Sequence, residues 1–178
     1  RREEERIMER IEPMAKITFK GSPVTTIGEL PPVGNPCPDF SLADAELKTR
    51  TAADFKDRWM VINIFPSLDT AVCAASVRRF NAAAAERPAA AVLCVSADLP
   101  FAQARFCGAE GLDQVITLSS FRSPAFGRDF GVAITDSPLA GLLARAVLVC
   151  DPRGIIRHAE LVPEIAQEPD YEAALAAL

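Results

Sequence analysis

Met60-Val61-Ile62-Asn63-Ile64-Phe65-Pro66-Ser67-Leu68-Asp69-Thr70-Ala71-Val72-Cys73 is the stretch on which the fold turns. Its first six residues are a continuous apolar run with the length and composition of a buried strand. Pro66 ends that run. Ala74-Ala75-Ser76-Val77-Arg78-Arg79-Phe80-Asn81 continues as a helical pattern, predicting a helix over about residues 71–86 that closes before Pro88. A strand feeding a helix in this way is the opening half of a β-α-β unit. The same junction carries Cys73, where unpaired backbone N–H groups point outward and a positive helix end favours thiolate over thiol. Position alone leaves a nucleophilic cysteine and a small buried core residue evenly matched.

The alternation continues downstream. Ala91-Val92-Leu93-Cys94-Val95-Ser96 reads as a second strand, followed by a helix that begins near Asp98-Leu99-Pro100 and ends at Cys107-Gly108. Asp98 is read as its N-cap and Pro100 as a first-turn residue. Gln114-Val115-Ile116-Thr117-Leu118 supplies a third strand, and Ser123–Phe130 another helix. Arg145–Cys150 and Gly154–His158 flank the turn Asp151-Pro152-Arg153-Gly154 as a hairpin. Asp170 caps a last helix, Tyr171–Leu178. Upstream, Lys16–Lys20 alternates, Gly21-Ser22-Pro23 turns, and Val24–Ile27 returns as a second hairpin. A proline-rich connector, Pro31 to Pro38, resists both helix and ladder pairing. Phe40-Ser41-Leu42 and Thr49-Arg50-Thr51 suggest short strands, and Thr51–Phe55 a short helix. The expected architecture is α/β: a central mixed β-sheet flanked by helices, with an N-terminal β-hairpin and thioredoxin-like topology.

The chain has 178 residues, 49% apolar and 24% charged, enough for a full core. Residues 1–13, Arg- and Glu-rich, are read as an N-terminal extension, disordered or a helical arm, and residues 14–178 as one domain. A net charge of -5 and scattered basic residues argue against a nucleic-acid partner. Arg78-Arg79 is read as a solvated helix surface. No apolar run has the ~20 residues of a membrane helix. The first residues lack the apolar segment of a secretory signal, which suggests the cytoplasm over the periplasm.

Five cysteines, Cys37, Cys73, Cys94, Cys107 and Cys150, are odd in number and widely spaced, unlike a secreted disulfide framework. There is no C-x-x-C, and His158 is the sole histidine, so no metal and no cofactor is expected. No histidine lies near Cys73 in sequence to act as its base, so activation falls to the helix end, hydroxyls and an arginine. Thr70, nearly one helical turn before Cys73, can donate to its sulfur or orient a substrate oxygen. Pro66 can shield it from water. Cys94 lies within a strand and reads as core, as do Phe101 and Phe106. Cys37 and Cys150 read as incidental, with an off-path disulfide at either as the lesser alternative, and His158 reads as structural. Taken without context, Arg145 reads as a strand-end surface arginine.

Pro66-x-x-x-Thr70-x-x-Cys73 resembles the peroxidatic motif of the peroxiredoxins. The run Phe65–Asn81, together with Ser96-Ala97-Asp98-Leu99-Pro100-Phe101-Ala102-Gln103 and Arg105-Phe106-Cys107-Gly108, is similar to the bacterial thiol peroxidase subgroup of atypical two-cysteine peroxiredoxins. The resemblance runs from about Ile17 to the C-terminus. It implies a thioredoxin-like fold with Cys73 as peroxidatic cysteine and Cys107 as resolving cysteine. It makes Pro66, Thr70 and Arg145 substrate-pocket residues. The activity implied is reduction of hydrogen peroxide and organic hydroperoxides through a Cys73 sulfenic acid and a Cys73–Cys107 disulfide, with thioredoxin as reductant and a homodimer as assembly. A disulfide needs Cα atoms within about 7 Å, so one or both helix ends carrying these residues are expected to unwind in each cycle. The alternatives are a thioredoxin-fold disulfide oxidoreductase, disfavoured by the missing C-x-x-C, and a redox sensor that passes oxidation to a partner.

Overall fold

The computed structural model describes residues 14–178, and the extension expected over 1–13 lies outside the described residues. In chain order the elements are β1 (Lys16–Phe19), β2 (Ser22–Thr25), β3 (Ser41–Ala43), β4 (Thr49–Thr51), a 3-10 turn (Ala52–Phe55), β5 (Trp59–Ile64), α1 (Ala71–Glu86), β6 (Ala90–Ser96), α2 (Pro100–Glu110), β7 (Ile116–Ser119), α3 (Pro124–Asp129), β8 (Ala146–Cys150), β9 (Ile156–Leu161) and α4 (Tyr171–Ala176). β1 and β2 form a separate antiparallel hairpin. The other strands make a seven-stranded sheet in the order β4-β3-β7-β6-β5-β8-β9. β5, β6 and β7 are parallel, while β8, β9, β3 and β4 join antiparallel.

The apolar run that opened the sequence forms the centre of this sheet. Successive strand side chains point to opposite faces, and here both faces are covered. Met60, Ile62 and Ile64 enter the larger core, with the β1–β2 hairpin, Phe126 of α3 and Phe130 at the C-cap of that helix. Val61 faces the other way, against Phe80 and Ala84 of α1 and Ala174 of α4. Phe65 continues that second face among Leu68, Cys73, Val77 and Cys94. A strand covered on both sides reads as unbroken apolar sequence rather than as an alternating one.

Several boundaries differ from expectation. α2 runs to Glu110 rather than stopping at Cys107-Gly108. Gly111, in the left-handed region at φ 67°, is the residue that ends it, and its N–H bonds the Cys107 carbonyl. Asp98 is not the α2 N-cap: Leu99 holds that position without a side-chain cap bond. β7 lies two residues later than expected at its start, and β9 spans Ile156–Leu161 rather than Gly154–His158. Phe101 is 66% exposed, not core, because the α2 face that carries it meets no sheet. Among the described residues, no helix is long and apolar enough to cross a membrane.

Candidate active site

Cys73 is the third residue of α1, fully buried beneath the helix N-terminus. The first turn is pinned to the sheet from below: Ser76 Oγ donates to the Cys73 carbonyl at 2.8 Å, and Asn63 Nδ2 of β5 donates to Ser76 Oγ at 3.1 Å. The sulfur therefore sits at a set depth rather than on a mobile loop.

Arg145, just before β8, comes to Cys73 across 72 residues of sequence. It is 1% exposed and heads the fully buried side chains by size. Its Nη2 donates to Cys73 Sγ at 3.2 Å, and its Nε donates to the Ile165 carbonyl at 2.8 Å. Its Nη1 is buried with no partner in the protein. A guanidinium taken out of water is costly unless paired and hydrogen-bonded, yet no carboxylate salt-bridges this one among the described residues. The group beside it that can carry negative charge is the Cys73 sulfur. The surface-arginine reading of Arg145 is thus replaced by a buried one.

A cavity of about 290 Å³ opens at this point, lined by Pro66, Thr70, Leu139, Leu142, Arg145 and Ile165 among others. The sequence-predicted pocket residues Pro66, Thr70 and Arg145 therefore share one cavity, with Cys73 beneath its floor. Of the two uses expected of the Thr70 hydroxyl, donating to the sulfur or orienting a substrate oxygen, the structure departs from the first. Thr70 is the α1 N-cap residue, and its Oγ1 donates to the Ser67 carbonyl at 3.0 Å. That bond commits the hydroxyl proton to closing the Ser67–Thr70 turn. Its oxygen remains an acceptor at the cavity wall.

The loop itself is held by Asp98. This carboxylate accepts from Ser67 Oγ at 2.7 Å, from the Leu68 backbone N–H at 2.8 Å and from Ser96 Oγ at 2.7 Å. Buried Gln103 of α2 donates to the same Ser96 hydroxyl at 3.1 Å and to the Leu118 carbonyl at 3.0 Å. A polar network thus joins the loop before Cys73 to the helix that carries Cys107.

Cys107 lies in the last turn of α2, half-buried where Cys73 is fully buried, and both thiols are free. Its carbonyl accepts the N–H groups of Gly111 and Leu112 that close the helix. Burial pushes its thiol above the ordinary value. Cys94 belongs to the cluster around Cys73 and lies close enough to Cys107 to feel its charge. Burial is the main cause that pushes Cys94 up to about 12, which suits the core role expected of it. The two cysteine-bearing helices are also tied at the surface. Arg78 of α1 makes a two-pronged ion pair with Glu110 of α2 at 2.8 and 2.9 Å, and stands over the Phe106 ring. Arg78 is accordingly a latch between helices rather than a merely solvated residue.

The redoxin family model matches residues 32–175, which takes in every element from β3 to nearly the end of α4. The chain belongs to the redoxin family. The redoxin relatives include the thiol peroxidase of Mycobacterium tuberculosis strain H37Rv, 56% identical over 93% of this chain and 99% of the relative. The thiol peroxidase of Corynebacterium glutamicum is 53% identical over the same shares. Among solved structures, a peroxiredoxin-like protein from Aquifex aeolicus superposes with a TM-score of 0.86 at 38% identity, covering 92% of this chain and 96% of that one. A thiol peroxidase from Chromobacterium violaceum has a TM-score of 0.83 at 22% identity, over 89% and 92% of the two chains, a likeness of fold. The expected thioredoxin-like fold stands, and the redoxin chain is a thiol-dependent peroxidase of the thiol peroxidase group.

Asp98 is the site residue that sequence reasoning placed wrongly. Its signal was present only in part: Ser96 stands two residues before it, but Ser67, its other hydroxyl partner, is 31 residues upstream. A carboxylate near a helix start also suits an N-cap, and the local pattern does not separate the two uses.

Proposed function

We propose that Cys73 is the attacking thiolate in reduction of a hydroperoxide, and that the observation carrying this assignment is the Arg145 guanidinium. One of its nitrogens is on the Cys73 sulfur, another is buried without a partner in the protein, and the residue lines the cavity. The sulfur attacks the terminal peroxide oxygen along the O–O axis. The S–O bond forms as the O–O bond breaks, and its electron pair leaves on the alkoxide or hydroxide. Charge appears on that departing oxygen, where Arg145 Nη1 supplies a free donor, with backbone N–H groups of the α1 start nearby. The departing oxygen takes a proton and leaves as alcohol or water, with Cys73 as the sulfenic acid.

Cys107 then attacks the Cys73 sulfur, expelling water and forming an intrachain disulfide. A dithiol reductant returns both thiols by exchange, and thioredoxin is the reductant we assign. The cavity walls of Leu139, Leu142 and Ile165 favour organic hydroperoxides alongside hydrogen peroxide. We further assign a cytoplasmic homodimer. The exposed side chains of Leu99, Phe101 and Phe121 supply apolar surface for such pairing.

Intact mass after hydroperoxide treatment tests the cycle. Wild type is expected to lose two hydrogens at Cys73 and Cys107, and Cys107→Ser to trap or over-oxidise Cys73. A Cys73→Ser protein that kept full peroxidase activity would overturn the assignment. A disulfide joining other cysteines would overturn the role of Cys107.

A further inference from the structure

Two cysteines outside this site meet at the far end of β8. Cys150 is the last residue of β8, fully buried in the larger core, and Cys37 packs half-buried against that core. The backbone holds them together. The Cys37 N–H bonds the Gly154 carbonyl at 2.8 Å, Pro36 bridges Ile155, and Gly34 and Asn35 exchange bonds with Ile156 at 2.8 and 3.0 Å. Ile156 is in turn the β9 partner of Cys150. The proline-rich connector is thus sewn along the β8–β9 turn, with Pro36 and Pro38 restricting the backbone on either side of Cys37.

We propose that Cys37 and Cys150 are a second dithiol pair, which excess hydroperoxide converts to an intrachain disulfide that staples the connector to the β8–β9 turn. Cys37 lines two surface clefts, so it is the thiol an oxidant reaches. Cys150 is sealed, and the adjoining Cys37 thiol together with burial keeps its proton on. The order of events follows from that asymmetry. The Cys37 sulfur attacks the hydroperoxide, breaking O–O and releasing alcohol or water, to give a sulfenic acid. Cys150 then condenses with it, forming the S–S bond and expelling water. Each disulfide consumes one hydroperoxide and needs neither Cys73 nor Cys107. Cys37 has no helix N-terminus beneath it like that under Cys73, so the pair is expected to oxidise more slowly than the peroxide site. Closing so long a loop restricts the unfolded chain, which raises thermal stability in the oxidised form.

The test uses the full chain with Cys73→Ser and Cys107→Ser together, its fold checked by circular dichroism, in excess hydrogen peroxide. Remaining thiols are alkylated after unfolding and the peptides mapped by mass. The expected result is a linked peptide holding Cys37 and Cys150, reversed by dithiothreitol. An upward melting shift of about 5 °C or more is also expected, absent when Cys37→Ser is added. Over-oxidation of Cys37 with Cys150 still alkylatable would overturn the proposal, as would linkage of either residue to Cys94. Failure of the Cys73–Cys107 cycle in wild type would leave this result unchanged, so the two readings fail separately.

Discussion

Helices α1 and α2 each carry one candidate thiol, and the protein grips them very differently. α1 buries seven of its side chains, Val77 and Phe80 among them, while α2 buries only Pro100 and Gln103. Each fully buried Val or Phe contributes about 1.5–3 kcal/mol, an anchorage α2 lacks. α1 is also pinned at the cysteine itself through Ser76 and Asn63. α2 is held mainly by polar contacts, at Gln103 near its start and at Glu110 at its end. The contrast suits a two-thiol cycle. The group that meets the peroxide needs fixed geometry beside Arg145, whereas the group that closes the disulfide must travel. The unwinding expected of one or both helix ends therefore falls chiefly on the last turn of α2.

Breaking the fixed side of the comparison has the largest expected effect. Arg145→Met is expected to lower kcat/KM for hydroperoxide by about 100-fold or more, with the rate of Cys73 oxidation falling in parallel. An unchanged rate would show that Arg145 serves only packing. The mobile side is read by hydrogen exchange in the reduced protein. Amides of Phe106–Glu110 are expected to exchange about 10- to 100-fold faster than those of Val77–Asn81, and equal protection would remove the distinction.

The pH dependence of the second step follows from burial. Because the Cys107 thiol titrates above the ordinary value of 9.0, its reactive thiolate is scarce at neutral pH. Disulfide formation is expected to accelerate by about tenfold per pH unit between about pH 7 and about pH 9. A plateau below about pH 8 would contradict this. The smallest effect belongs to the surface latch. The hydrogen bond from Arg78 holds the Glu110 carboxyl below the usual carboxylate range. A depressed carboxylate contributes its contact above its ordinary value and loses it as pH falls through the lowered one. The latch is therefore closed at neutral pH and released in acid. At neutral pH Glu110→Gln is expected to speed disulfide formation about twofold, measured by quenched-flow alkylation. A slower step would mean that the ion pair positions α2 rather than restrains it.

Much of the frame was legible because its signals are local. The unbroken apolar run of β5, the proline that ends it and the helical pattern after it predict a β-α-β unit without reference to other residues. What was misread turned on backbone conformation and on contacts that the side-chain pattern does not encode. Gly108 and Gly111 both offer a helix stop, and the φ of Gly111 decides between them. Thr70 stands one turn before Cys73, but the turn at Ser67 claims its proton. Phe101 has core chemistry, yet the sheet does not reach its side of α2.

Sequence by itself determined the order of strands and helices, the place of Cys73 at a helix start, and, through its motifs, the resemblance to peroxiredoxins. Those properties follow from side-chain periodicity, turn chemistry and short spacings, which act within a few residues. Tertiary structure decided that Arg145 is buried on the sulfur, that Asp98 braces the loop, and that α2 is the loosely held helix. It alone brought Cys37 beside Cys150. The physical reason is the same in each case: burial, charge pairing and thiol contact depend on distance through space, and the sheet order sets that distance.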